Sequence, residues 1–258
     1  LKLALEDERK IQFMINDIER IKKTLNIEST IREKTGFKGK ISFHLHHLCH
    51  LASSFYVSGF EEALLVSHDG VGEIDCSLIG AGKNNEVSIL KKGNRYPDSI
   101  GLLYSAITHY LGWKHHSDEG IVMGLAPYGD SKTMIESSNK TYEQVFKEII
   151  YETDDYHFEI DKSWIEYHLV RDKWISDKFI QTFGPKREPE GSVELHHKHV
   201  AAALQDRIEE IILNQLKKAR EEFGFKKLCL SGGVFLNCSL NGKIQESKIF
   251  DEIFVQPA

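Results

Sequence analysis

ALLVSHDGVGEIDCSLIGAGKNNEVSILKKG, residues 63–93, decides the fold. Three runs within it, ALLVSHDG, CSLIGAGK and EVSILKKG, are rich in branched and small apolar residues, and turn material separates them at Asp69-Gly70 and Lys83-Asn84-Asn85. Runs of that length with such punctuation predict three consecutive strands, an antiparallel meander over residues 62–93. Downstream the period becomes helical. SIGLLYSAITHYLG (99–112) reads as a helix with Ser99 able to cap it and Gly112 able to end it. HHKHVAAALQDRIEEIILNQLKKAREEF (196–223) reads as a long helix stopped by Gly224, and KLCLS (227–231) as a short buried strand running into Gly232-Gly233. A further helix over 236–247 and a last strand over 252–256 complete the order, while residues from about 130 to 191 hold no sustained period and are expected to form an insertion of small helices and loops. Strands and helices in this order predict an α/β fold.

Upstream, Ile11, Met14, Ile15, Ile18, Ile21 and Leu25 recur at spacings of three and four and predict an amphipathic helix ending near Asn26. A charged linker through Thr35-Gly36 and Lys38-Gly39-Lys40 is expected next, then a short strand at Ile41-Ser42-Phe43 and a helix over 44–55.

Composition excludes several classes. Among 258 residues, Lys+Arg number 33 and Asp+Glu 39, a net charge of −6 with no long basic tract, so binding nucleic acid through phosphate neutralisation is not expected. No apolar stretch approaches the roughly eighteen residues of a membrane span, and no signal-peptide pattern opens the chain. Cys49, Cys76, Cys229 and Cys238 have no C-x-x-C spacing, which points to reduced thiols and a cytoplasmic setting, with Cys49 expected to pack in the core. The first residue is Leu, and the chain is read as a fragment.

Three constellations could carry chemistry. HLHHLCH (44–50) places four of thirteen histidines in seven residues. On a helix His46 and His50 lie about 6 Å apart along the axis on one face, so both imidazoles can meet one metal ion, whereas His47 sits roughly 100° away and needs another job. A solvated run of histidines would look the same, and the H-E-x-x-H pattern is absent. Asp69-Gly70-Val71-Gly72-Glu73 combines glycines, which let backbone N–H groups approach an anion, with a carboxylate able to hold a cation; a plain hairpin turn has the same look. Ser231-Gly232-Gly233-Val234 lies between a strand and a helix, a common seat for a nucleotide phosphate, without the spacing of a Walker A loop or a dinucleotide fingerprint. His196, His197 and His199 fit capping or solvation at a helix start, and MGLAPYG (123–129) fits a packed turn under a pocket.

Taken in order, HHLCHLASSFYVSGFEEALLVSHDGVGE, YPDSIGLLYSAITHYLG, EGIVMGLAPYGD, HKHVAAALQDRIEE and LCLSGGVFLNCSLNGKI resemble the N-terminal part of the O-carbamoyltransferases of the nodulation NodU and cephamycin CmcH type, from about His46 to Ala258. The resemblance implies a fold related to the tRNA-modification protein Kae1, in the actin, Hsp70 and sugar-kinase superfamily: two β-β-β-α-β-α halves around a nucleotide cleft. Residues 1–61 would be the remainder of the first half and 62–258 the second, with the insertion at about 130–191. It also implies truncation at both ends. The family's opening hairpin, the Gly-Asp after Gln256-Pro257-Ala258 whose carboxylate is a metal ligand, and a C-terminal domain that makes carbamoyl-adenylate from carbamoyl phosphate and ATP would all lie outside the chain.

Carried onto matching positions, the resemblance makes His46 and His50 ligands of a divalent metal, expected to be iron, with Asp69 beside it. Gly70, Gly72, Ser231, Gly232, Gly233, Val234 and Asn237 would contact the nucleotide, and Glu119 with the 123–129 run would border the cleft. Ile121 stands where a lysine is common. The implied reaction transfers a carbamoyl group from carbamoyl-adenylate to a hydroxyl of a small-molecule acceptor and releases AMP, with Asp69 and His47 as candidate bases. Two other readings stay open: a Kae1-like tRNA threonylcarbamoyl transferase, against which stand the insertion, the D-G-V-G-E sequence and the net charge, and a non-catalytic nucleotide-binding module of actin-like fold.

Overall fold

Ala63, Leu64, Leu65 and Val66 are all buried, so the strand that carries them must be covered on both faces and flanked on both edges. The computed structural model, which describes residues 22–153, 156–170 and 173–256 together with Ile11, Ile15 and Ile18, puts it at the centre of a sheet. In chain order the elements are α1 (Ile27–Thr35), α2 (His46–Ser58), β1 (Glu62–His68), β2 (Ser77–Lys83), β3 (Glu86–Lys92), α3 (Ile100–Tyr110), α4 (Glu119–Leu125), α5 (Tyr142–Ile149), β4 (Ile150–Glu152), β5 (Phe158–Ile160), α6 (Asp177–Phe183), α7 (Leu195–Phe223), β6 (Lys227–Ser231), α8 (Cys238–Ser247) and β7 (Glu252–Val255). The main sheet has the order β3-β2-β1-β6-β7. The meander is antiparallel, with Glu62 opposite Lys83 and Leu78 opposite Lys92, while β6 and β7 run parallel to β1. The expected α/β class is therefore observed, as one mixed five-stranded sheet.

Alternation along β1 divides the core. Leu64 and Val66 face the large cluster formed with α3 and α7, whereas Ala63 and Leu65 face Leu51 and Phe55 of α2. Gly80 and Gly82 on β2 make the second contact possible: a Cβ on either would stand 2.6 Å from Leu51 or 2.4 Å from Phe55. The helix carrying the histidine pair thus rests directly on sheet backbone. Ser99 caps α3 by accepting from the Leu102 N–H, and Gly224 ends α7 in the left-handed region, both as the sequence predicts. His197 accepts the Glu194 N–H through Nδ1 and so caps α7, whereas His199 accepts the Asp130 N–H and ties the loop after Gly129 to that helix.

Several expectations need correction. Residues 27–35, read as charged linker, form α1: the turn at Asn26 is bridged by the hydroxyls of Ser29 and Thr30 bonding its carbonyl, and the Glu28–Arg32 pair supports the helix although none of its residues is buried. Ile41-Ser42-Phe43 is not a strand, because no neighbour among the described residues offers it a ladder and Phe43 is exposed. Helix 236–247 begins later than expected, as α8, behind a 3₁₀ turn over Gly233–Leu236, with Asn237 as N-cap. Cys49 is exposed and not in the core. The stretch 130–191 holds, besides its small helices, the hairpin β4–β5, and its Phe146, Phe158, Trp164 and Phe179 join the same core as α3 and α7. Asn94 and Asp98 fasten it by pairing with the backbone of Phe158 and Ile160. Met14 and Ile21 of the expected opening helix lie outside the described residues. No helix among the described residues is long and apolar enough to cross a membrane.

His68 closes β1 wholly inside the protein, edge-on to Phe235. Burial, aided by the neighbouring His47, lowers its pKa to about 3 against a hydrogen bond with Gln215. The unfolded chain takes up this proton near pH 6.5 and the folded chain only near 3, so stability contributed by the neutral ring is complete above 6.5 and is lost as pH falls through that window. Urea denaturation between pH 7 and 4 should show this decline, and His68→Gln should make it shallower.

Candidate metal centre and adjoining cavity

Because Leu51 and Phe55 seat α2 on the glycine-lined face of β2, the first turns of that helix overhang the end of β1. His46 and His50, one turn apart, converge there on Asp69, the residue that follows β1. His46 Nε2 lies 2.7 Å and His50 Nε2 3.1 Å from Asp69 Oδ2, and the two nitrogens are 3.1 Å from each other. Among the described residues this is the cluster able to hold a metal ion. The three ligand atoms lie 2.7–3.1 Å from one another, close enough to meet one ion. Burial works against ionisation of Asp69, but the hydrogen bonds with His50 and His46 outweigh it and hold the carboxyl well below the usual carboxylate range.

The other oxygen of Asp69 reaches the glycine turn. Oδ1 accepts the N–H of Gly233 at 3.2 Å, across 164 positions of sequence. That approach depends on Gly232, whose φ is +92° and whose Cβ, if it had one, would stand 2.3 Å from the His68 carbonyl oxygen. A cavity of about 480 Å³ opens beside this contact. Asp69, Gly70 and Gly233 form one end, Ile100, Met123, Ile208, Val234 and Leu236 give apolar wall, and Tyr104, Ser105, His116, Glu119 and Asn237 add polar groups. Asn237 is held rigidly: Oδ1 accepts from the Leu240 N–H and from Gln205 Nε2, and Nδ2 donates to Gln205 Oε1. Glu119 Oε1 accepts from Ser105 Oγ and from the His116 N–H, each at 2.6 Å.

Of the residues singled out from sequence, Asp69, Gly70, Glu119, Gly233, Val234 and Asn237 therefore share one cavity with Met123 of the 123–129 run. Ser231 and Gly232 build the turn without lining it. Gly72 does not line it either; it abuts His46. His47 turns away. Its Nε2 donates to the Asp75 carbonyl, which can only accept, so Nδ1 is the acceptor for Ser67 Oγ, and burial lowers the pKa of the ring. With both nitrogens engaged, His47 has neither proton nor lone pair to offer a substrate, which corrects its candidacy as a base. Tyr104, Ser105 and His116 were not foreseen. The available signals were the small residues Gly101 and Ser105 one turn apart on α3, and the polar run His115-His116-Ser117-Asp118-Glu119 between two helices.

Parallel strands β1 and β6 both end at this cavity, at Asp69 and at the Gly232 turn, which is where an α/β sheet commonly offers a ligand site, outside the carboxyl ends of its strands. Comparison with known proteins is more specific. The family model described as "Carbamoyltransferase N-terminus" matches residues 9–258, and the chain belongs to that family. Nodulation protein NolNO of Sinorhizobium fredii is 37% identical over 221 residues, 85% of this chain and 29% of that protein. Nodulation protein NolO of Bradyrhizobium diazoefficiens is 35% identical over 213 residues, 83% of this chain and 35% of that protein. The chain thus spans 29–35% of the length of these curated relatives. The crystal structure of T. kodakarensis HypF aligns over 90% of this chain and 36% of that chain, with 13% identity and a TM-score of 0.42.

The glycine turn supplies a stability test. Gly232→Ala combines a left-handed φ with a clash against backbone and should cost about 2–4 kcal/mol. Gly224→Ala, also left-handed but with nothing within 4 Å of the added carbon, should cost about 1 kcal/mol. Denaturant midpoints of the two variants, measured side by side, check the difference.

Proposed function

We propose that this chain is the part of a carbamoyltransferase that holds a divalent metal and carbamoyl-adenylate and passes the carbamoyl group to a hydroxyl of a small-molecule acceptor. The observation that carries the reading is the double engagement of Asp69, with Oδ2 on the imidazole pair and Oδ1 on the Gly233 N–H at the mouth of the cavity. In this reading His46, His50 and Asp69 would hold the metal, and two imidazoles with one carboxylate suit iron among other divalent ions. Gly70, Gly233, Val234 and Asn237 lie along the nucleotide, with Glu119 bordering it.

The acceptor oxygen attacks the carbamoyl carbon, the bond from that carbon to the phosphate oxygen breaks, and AMP leaves. A bound divalent cation supplies Lewis-acid stabilisation of the phosphate as its charge develops. Asp69, held at low pKa by its two imidazoles, suits a ligand better than a base. His47 is occupied, and the imidazole that lines the cavity is His116, which becomes the candidate for receiving the acceptor's proton.

The same reading extends to the fold. The order β3-β2-β1-β6, antiparallel then parallel, supports one β-β-β-α-β-α half of the actin-like plan, with β7 as a further parallel strand beside it. Residues 62–258 are read as that half with an insertion at about 130–191, and residues 1–61 as the remainder of the other. In the full-length protein a separate domain makes carbamoyl-adenylate from carbamoyl phosphate and ATP, in the cytoplasm.

In the full-length protein, His46→Ala or His50→Ala should lose bound metal and transferase activity while keeping the circular dichroism of the unaltered protein. Elemental analysis showing undiminished metal in both variants would refute the assignment. Calorimetry should detect ATP or a non-hydrolysable analogue binding to the full-length protein, and a flat titration would remove the nucleotide site.

A further inference from the structure

α2 starts without a cap of its own. Leu45 occupies the N-cap position and has no side-chain oxygen to offer the free N–H groups of the first turn. A group from another segment does the work: the Glu73 carboxylate lies 3.1 Å and 3.4 Å from the His46 N–H through its two oxygens, and its negative charge faces the positive end of the helix. Beside it, Gly72 is pressed against the same residue. A Cβ at position 72 would stand 2.9 Å from His46 Cβ and 3.1 Å from Cδ2 of the ring. Asp69 then holds the far end of that ring through Nε2. His46 is therefore met at its backbone nitrogen, at its Cβ and at its metal-facing nitrogen by three residues of one five-residue stretch, D-G-V-G-E. The stretch is itself braced, since the Gly72 N–H donates to the Asp75 carbonyl, which also accepts from His47 of the same helix turn.

We infer that Gly72 and Glu73 are positioning residues that set the place of His46 for metal binding. The inference rests on the metal reading above and adds two residues to it. Gly72, which the sequence suggested as an anion contact, is reassigned: it does not line the cavity, and its missing side chain makes room for the His46 imidazole. Glu73 does not belong to the ligand cluster, because its carboxylate is turned to backbone.

The test uses full-length protein freed of metal and titrated with Co²⁺ alone, whose visible spectrum reports both affinity and ligand geometry. Glu73→Ala should weaken Co²⁺ binding about 5-fold or more, the size of a lost charged cap. Glu73→Gln keeps an oxygen to accept the His46 N–H and should recover most of that loss. Gly72→Ala should weaken binding by about 10-fold or more and shift the spectrum, as disturbance of an outer-shell partner does. A merely structural role for these residues would lower the melting temperature of the metal-free protein without separating alanine from glutamine at position 73 in Co²⁺ affinity. Equal affinity and identical spectra in unaltered protein, Glu73→Ala and Gly72→Ala would overturn the inference while leaving the metal reading intact. Failure of the unaltered protein to take up either Co²⁺ or Fe²⁺ would overturn both. If Gly72→Ala does not fold, the two substitutions at exposed Glu73 decide the matter alone.

Discussion

Asp69 touches both ends of the site. One carboxylate oxygen faces two imidazoles from a helix on one side of the sheet, and the other accepts a backbone N–H from the turn after β6. Both bonds require that β1 and β6 end level with each other, which their parallel register from Leu64–Leu228 to Ser67–Ser231 ensures. They require also that α2 lie low on the sheet, which Gly80 and Gly82 permit, and that the turn at Gly232 take a conformation closed to other residues. Register, close helix packing and a left-handed turn are separate features of the fold, and they meet at one carboxylate.

What the sequence made legible is what local physics controls. The meander could be read because three apolar runs with turn residues between them leave few alternatives, and α7 because its apolar positions and Gly224 mark both its face and its end. The pairing of His46 with His50 follows from helical geometry alone. α1 was illegible for the opposite reason: it buries nothing, so no apolar face advertises it. Ile41-Ser42-Phe43 misled because three apolar or small residues suggest a strand, while a strand exists only if a neighbour pairs with it.

The site was half legible on the same grounds. Asp69, Glu119, Gly233 and Asn237 stand out as residue types in suggestive places, and the fold gathers them. The side chain of His47 could not be placed, since its direction depends on Ser67 and the Asp75 carbonyl, 20 and 28 positions away. Gly72 and Gly70 look alike in sequence, yet one lines the cavity and the other backs a histidine, a difference that arises only when α2 and the loop after β1 are packed together.

Could the histidine–carboxylate cluster exist for stability alone? The side chains of His46 and Asp69 are 40% and 24% exposed, and ion pairs in such positions contribute about 0–1 kcal/mol. Against this stand features that lower stability. Two imidazole nitrogens stand 3.1 Å apart beside one carboxylate oxygen, so at most one of them can donate to the other and both compete for the same acceptor. The loop that presents Asp69 contains two glycines within five residues, and the turn it meets contains two more, each adding backbone freedom that folding must remove. An arrangement that adds little to stability, opens onto a cavity and brings three ligand atoms close together is what the proposed metal site would account for.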